Sequence, residues 1–72
     1  PAALGVPGQR KVMELILKLK EQGVAIILIS HNMNDVFAVS DRITVLRRGQ
    51  VVGVREASET NSEELVHLMV AG

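Results

Sequence analysis

The fold is decided by one apolar stretch, Val24-Ala25-Ile26-Ile27-Leu28-Ile29-Ser30. The stretch is short, rich in β-branched residues, and shows no alternation between apolar and polar positions. Continuous apolar runs of this length are typical of strands buried on both faces, as in parallel sheets that are covered by helices. We therefore predict a buried strand over residues 24–30 of an α/β domain.

A helix is predicted immediately before this strand. Residues 6–8, Val6-Pro7-Gly8, form the predicted turn into the helix, and Gly23 is its predicted left-handed C-cap. The apolar stripe of the helix follows the spacing i, i+3, i+4, i+7 and consists of Val12, Leu15, Ile16 and Leu19. A helix that leads into a buried strand implies a parallel partner strand, which we expect to precede residue 1.

A short helix, a hairpin and a last helix are predicted after the strand. Asn32 is the expected N-cap of the short helix, and Asp35 lies favourably in its first turn. Residues 43–48 and 51–55 read as a β-hairpin whose left-handed position is filled by Gly49. The predicted order is helix, strand, helix, β-hairpin, helix.

The last helix has both a start signal and an apolar face. Residues 60–63, Thr60-Asn61-Ser62-Glu63, match the pattern of a capping box. Leu65, Leu68 and Met69 form the apolar face that we expect to pack inward.

Composition narrows the possible functions. The 72 residues carry eight Lys+Arg against eight Asp+Glu, contain no cysteine, and include one aromatic residue, Phe37. A polybasic nucleic-acid arm, a disulfide framework, a thiolate metal site and a base-stacking platform are therefore not expected. The longest apolar run is far shorter than the ~20 residues of a membrane-spanning helix. Because the chain starts with Pro1 rather than Met, we expect it to be a portion of a longer protein.

His31 is the titratable residue that directly follows the predicted buried strand. Ligands of open α/β sheets bind at the carboxyl ends of the strands. An imidazole can donate a hydrogen bond to a phosphate oxygen, and the N–H groups of the helix that starts at Asn32 add positive potential there. Taken from the residues alone, an anion contact at His31 and simple packing at a strand–helix junction both remain open.

A longer stretch carries a family resemblance. Residues 24–53, which include Ile29-Ser30-His31-Asn32, Val36-Phe37 and Asp41-Arg42-Ile43, resemble the switch-histidine region of ABC-transporter ATPase subunits. In that family an apolar strand ends in a Ser/Thr-His pair, followed by a short helix, Asp-Arg, a strand and a Gly-centred hairpin. The residues of these motifs resemble those of the bacterial sugar-importer branch of the family. Residues 2–6, Ala2-Ala3-Leu4-Gly5-Val6, are similar to its D-loop.

The resemblance implies a fold and a site. Residues 1–72 would be the carboxyl-terminal part of a P-loop NTPase (RecA-like) domain with no separate second domain. His31 would be the catalytic switch histidine that contacts the ATP γ-phosphate. The D-loop role at the dimer interface would belong to Ala2, Ala3, Leu4 and Gly5. No metal ligand is implied within the chain, and the usual D-loop aspartate is replaced by Gly5.

The resemblance also implies a function for the parent protein, which would couple ATP binding and hydrolysis to carbohydrate uptake. Its cofactors would be ATP and Mg²⁺. Its partners would be a second ATPase domain and transmembrane permease subunits, without nucleic acid. It would be cytoplasmic, on the inner face of the cell membrane.

The sequence lacks most of the motifs that bind ATP and Mg²⁺ and position water in such an ATPase. It contains no G-x-x-x-x-G-K-[ST] loop, Gln loop, signature motif or acidic strand. Phosphoryl transfer depends on positioning and charge neutralisation. We therefore expect the 72-residue chain alone neither to bind ATP tightly nor to hydrolyse it.

Two other functions stay open at this point. One is a non-transport ABC-type ATPase of DNA repair or chromosome maintenance, and the other is a non-catalytic dimerisation module. His67 has no second histidine at ligand spacing and reads as a solvated helix residue. Two interpretations of the pair Asp41-Arg42 stay open: a functional pair, and a helix end followed by a structural ion pair.

Overall fold

The structure, a computed structural model, describes the backbone of residues 5–70 and the side chains of residues 8–70. The described elements are α1 (Gly5–Glu21), α2 (Met33–Val39), β1 (Arg42–Arg47), β2 (Gln50–Glu56), a 3₁₀ turn (Ala57–Glu59) and α3 (Ser62–Val70). The chain divides into two compact units, Pro1–Val39 and Ser40–Gly72. The protein is a small α/β chain whose helices and hairpin follow the predicted order. The strand predicted over residues 24–30 is missing from that order.

Helix α1 begins earlier than predicted and ends where predicted. It already includes residues 6–8, so the predicted turn there is wrong. Pro7 fits because the N–H groups of a first helical turn have no intrahelical partner. At the other end Gly23 has a φ of 81°. The Gly23 N–H donates to the Lys20 carbonyl at 3.0 Å, and the Val24 N–H donates to the Leu19 carbonyl at 3.1 Å. This pair of bonds is a Schellman C-cap, which confirms the prediction for Gly23.

Helix α2 lies against α1 in the first unit. Val36 and Val39 of α2 are buried, and both ends of the helix make polar contacts with α1. The Gln9 amide donates to the Asp35 carboxylate at 2.6 Å, and the Lys20 ammonium donates to the Val39 carbonyl at 2.6 Å. The orientation of α2 is therefore fixed by hydrogen bonds as well as by apolar packing.

Residues 24–30 do not form the predicted buried strand. No ladder joins them to another strand in residues 5–70, and Ile27 and Ile29 are 92% and 93% exposed. A strand requires a neighbour that accepts and donates the alternate backbone hydrogen bonds. The two described strands already pair with each other as a hairpin. The prediction of a buried parallel strand is thus wrong for the described residues, since the parallel neighbour, which was expected before residue 1, is not among them.

Strands β1 and β2 form an antiparallel hairpin with a two-residue turn. Arg47 pairs with Gln50, and the turn residues Arg48 and Gly49 have φ values of 51° and 77°. Positive φ at both central residues defines a type I′ turn, whose twist matches that of the flanking strands. The prediction for Gly49 is confirmed, whereas the left-handed conformation of Arg48 was not predicted.

A β-bulge changes the register within the hairpin. Val45 pairs with Gly53 whereas Leu46 pairs with Val51, so Val52 is the extra residue of β2. Val52 and Gly53 are consecutive yet both half-buried, since a bulge interrupts the alternation of the two faces. The bulge therefore brings the Gly53 backbone towards the core of the second unit.

The core of the second unit lies between α3 and the hairpin. Leu65 is fully buried, and Val45 of β1 is 4% exposed. A Cβ at Gly53 would lie 2.9 Å from the Leu68 Cδ1, so glycine leaves room for the end of the Leu68 side chain. Leu68 and Met69 are half-buried, which confirms the predicted apolar face of the last helix.

The N-terminus of α3 is capped one residue later than predicted. Asn61 is the N-cap, because its Oδ1 accepts a hydrogen bond from the Glu64 N–H at 2.8 Å. Thr60 was the predicted cap, but its hydroxyl donates instead to the Glu64 carboxylate. The Arg55 Nε lies 3.4 Å from the same carboxylate. Glu64 therefore joins the cap of α3 to strand β2.

These contacts lower the pKa of the Glu64 carboxyl. The hydrogen bond from Thr60 lowers the pKa of Glu64 below its usual value of 4.5; partial desolvation opposes this, and the positive charge of Arg55 adds to the lowering. A lowered pKa in the folded state means that ionised Glu64 stabilises α3 above pH ~4.5. That contribution is lost as the pH falls through the lowered pKa.

We expect the NMR titration of the Glu64 carboxyl to have its midpoint below 4.5. Thr60→Val should move the midpoint upward, because the largest lowering contact is removed. Ser62→Ala, which changes a neighbouring exposed hydroxyl, serves as the control and should leave the midpoint in place. An unchanged midpoint in Thr60→Val would show that the hydroxyl does not stabilise the carboxylate.

Candidate functional site

The predicted site residue His31 lies in a bend between residues 24–30 and helix α2. Its side chain is exposed, as are those of Ser30 and Asn32 on either side. Within the part of the chain that the structure describes, no hydrogen bond engages the imidazole. His31 thus presents its ring nitrogens on an open surface.

Two side chains next to His31 form the bend. The Ser30 Oγ accepts a hydrogen bond from the Asn32 N–H at 3.0 Å. The Asn32 Oδ1 accepts one from the Asp35 N–H at 3.2 Å, and the Asn32 carbonyl accepts one from the Val36 N–H at 3.0 Å. Asn32 is therefore the N-cap of α2, as predicted, and His31 lies at the centre of a hydrogen-bonded turn.

Some of the N–H groups at the start of α2 already have hydrogen-bond partners. The N–H groups of Asn32 and Asp35 are already bound by the neighbouring side chains. The imidazole of His31 is exposed at the same bend and can donate a hydrogen bond to a phosphate oxygen.

The contact between Gln9 and Asp35 was not predicted from the sequence. Asp35 was interpreted only as a favourable charge in the first turn of α2, and Gln9 was given no role. The contact joins residues 26 positions apart. Helical periodicity gives no signal for a pair of this kind, because it describes one element at a time.

The other predicted site residues lie in other elements or outside the described residues. Ala2, Ala3 and Leu4 lie outside the described residues, and Gly5 is the first residue of α1. His67 is exposed on α3, in the second unit. The Asp41 carbonyl accepts a hydrogen bond from the Ala57 N–H at 2.9 Å, which gives the residue a structural contact.

Residues 5–70 contain neither a metal-binding cluster nor a membrane-spanning helix. These residues contain no cluster of three or more His, Asp or Glu side chains that could hold a metal ion. None of their helices combines the length and apolar character needed to cross a bilayer.

Curated proteins similar to this chain are import ATP-binding proteins. A galactose/methyl galactoside import ATP-binding protein of Photobacterium profundum is 52% identical over 82% of this chain and 12% of its own length. Ribose import ATP-binding proteins of Yersinia pestis and Geobacillus kaustophilus are 48% and 45% identical over 96% of the chain. The chain spans 14% of the length of each ribose protein.

No family model matches the chain, and no solved structure matches it significantly. The sequence similarity to the import proteins extends over the apolar stretch, the bend at His31 and the hairpin, since it covers nearly the whole chain. The chain is therefore a homologue of the ATP-binding subunits of ABC sugar importers and corresponds to one segment of them.

Proposed function

We propose that this sequence forms the switch-histidine segment of a subunit that couples ATP hydrolysis to sugar import. The observation that carries the proposal is the exposed His31 in a hydrogen-bonded bend, within a chain 48% identical over 96% of its length to a ribose import ATP-binding protein. In this proposal residues 1–72 are the carboxyl-terminal part of a P-loop NTPase (RecA-like) domain.

The proposed role of His31 is to contact the γ-phosphate of ATP. A ring N–H donates a hydrogen bond to a terminal phosphate oxygen, and the other ring nitrogen is available to orient the attacking water. Such a transfer depends on placing groups around the phosphate rather than on covalent chemistry. The Ser30–Asn32 bend supports this role because it fixes the backbone on both sides of the imidazole.

The nucleotide itself would be bound mainly by residues outside this sequence. The sequence has no G-x-x-x-x-G-K-[ST] loop, and its described residues hold no cluster that fits Mg²⁺. ATP and Mg²⁺ would therefore be held elsewhere in such a subunit, with His31 reaching the terminal phosphate.

The proposed partners are a second ATPase domain and transmembrane permease subunits. Residues 2–5 would cross the interface between the two ATPase domains, in the role of a D-loop without its aspartate. The subunit would lie in the cytoplasm at the inner face of the cell membrane. The import names of the similar proteins favour transport over DNA repair, whereas the dimerisation module remains a hypothesis.

A segment exchange tests the proposal. In what we term the ribose chimera, this 72-residue sequence replaces the matching segment of the Yersinia pestis ribose import ATP-binding protein. We expect the ribose chimera to hydrolyse ATP and to support growth on ribose. A control chimera in which residues 24–53 are scrambled should do neither.

The isolated chain provides the complementary measurement. The purified 72-residue chain should show neither tight ATP binding nor turnover, because the phosphate cradle is missing from its sequence. ATP turnover by the pure chain, or a ribose chimera that folds but does not hydrolyse ATP, would overturn the proposed function.

A further inference from the structure

We propose that Gln9 is a positioning residue for His31 and acts through its hydrogen bond to Asp35. The inference rests on the proposed function, because it assigns Gln9 a part in placing the imidazole for ATP hydrolysis. It concerns a contact between helices α1 and α2 that the sequence pattern does not reveal.

Helix α2 is attached to α1 by a hydrogen bond at each of its ends. The Gln9 Nε2 donates to the Asp35 Oδ2 at 2.6 Å, and this part-buried bond joins the amino-terminal half of α1 to the first turn of α2. A bond to an ionised carboxylate is shorter and stronger than one between neutral groups. The Lys20 ammonium holds the other end of α2 through the Val39 carbonyl.

Asp35 is in turn connected to the bend at His31. The Asp35 carboxylate is bound by Gln9, and its main-chain N–H is bound by the Asn32 Oδ1. The Asn32 N–H in turn donates to the Ser30 Oγ. A continuous series of hydrogen bonds therefore runs from α1 through Asp35 and Asn32 to Ser30. Its last bond joins the two residues on either side of His31.

The bend at His31 is not held by packing of its own side chains. The side chains of Ser30, His31 and Asn32 are exposed, whereas Gln9 and Asp35 are half-buried. Exposed side chains cannot hold a backbone in place by packing, so on the α2 side the bend is anchored by the half-buried pair together with the buried Val36 next to it. Loss of the pair should let the first turn of α2 shift and carry His31 with it.

The test uses the ribose chimera with four variants: Gln9→Ala, Asp35→Ala, the double variant, and Asp35→Asn. We expect each alanine variant to lower kcat for ATP hydrolysis about tenfold, since small displacements of a catalytic group reduce rates strongly. KM for ATP should stay within about twofold, because the phosphate cradle is untouched. The double variant should be no worse than either single variant, as expected for one shared interaction.

Asp35→Asn separates the hydrogen bond from the charge. Its side-chain oxygen can still accept from Gln9, so we expect kcat within about twofold of the parent chimera. A role limited to negative charge at the helix start would make Asp35→Asn as slow as Asp35→Ala. Gln22→Ala, which changes an exposed glutamine just after α1, is the matched control and should leave kcat unchanged.

The outcomes distinguish this inference from the proposed function. Unchanged kcat in Gln9→Ala, additive losses in the double variant, or failure of Asp35→Asn to restore turnover would overturn the inference while leaving His31 in its role. Normal turnover in His31→Ala would overturn the proposed function, and the inference with it. If Asp35→Ala does not fold, Gln9→Ala decides alone, because it removes the same bond without altering α2.

Discussion

Replacing His31 by alanine in the ribose chimera should lower ATP turnover by about a hundredfold or more, because a positioned proton-transfer or hydrogen-bonding group contributes ~10²–10⁴-fold. ATP affinity should change by no more than about threefold, since the phosphate cradle lies outside this sequence. The imidazole is exposed in the Ser30–Asn32 bend, so its removal leaves no cavity in a core.

Turnover is measured as phosphate release at saturating ATP, and affinity by equilibrium binding of a fluorescent ATP analogue. His67→Ala is the matched control, because it removes the other histidine of the chain from an exposed position on α3. It should hydrolyse ATP at the parental rate. Near-parental turnover in His31→Ala would remove the imidazole from the mechanism.

Replacing Leu65 by alanine should have the largest effect on stability. Leu65 is the one fully buried side chain found among the described residues, and it lies between α3 and the hairpin. Truncating a buried leucine costs about 2–5 kcal/mol, from lost apolar transfer and from the cavity that remains. We expect the opening constant of α3 to rise about thirty- to several-thousand-fold.

Amide hydrogen exchange of residues 62–70 in the ribose chimera measures this opening directly. Val66→Ala is the control on the same helix, since Val66 is 47% exposed and should cost well under 1 kcal/mol. Equal protection of α3 in Leu65→Ala and in the parent chimera would show that Leu65 does not support the second unit.

The features predicted correctly are those that one residue specifies. Gly23 and Gly49 adopt positive φ because glycine does so without a Cβ clash, and Asn32 caps α2 with its own side-chain oxygen. Such signals lie within one turn of the chain. They are therefore visible in the sequence without knowledge of any other element.

Predictions that depended on the choice between neighbouring residues were less accurate. The cap of α3 is Asn61 rather than Thr60, because both residues can cap and the geometry of the loop after β2 selects one of them. The bulge at Val52 was missed for a similar reason. An extra residue in a strand depends on the partner strand and on the packing of α3 over Gly53.

The sequence by itself determined the order of the helices and the hairpin, the caps made by single residues, and the place of His31 directly after an apolar run. Tertiary structure alone decided that residues 24–30 have no ladder and that Gln9 reaches Asp35. The physical reason is common to both. A strand's backbone bonds and a contact across 26 positions depend on where another part of the chain lies, and the pattern within one element does not encode that position.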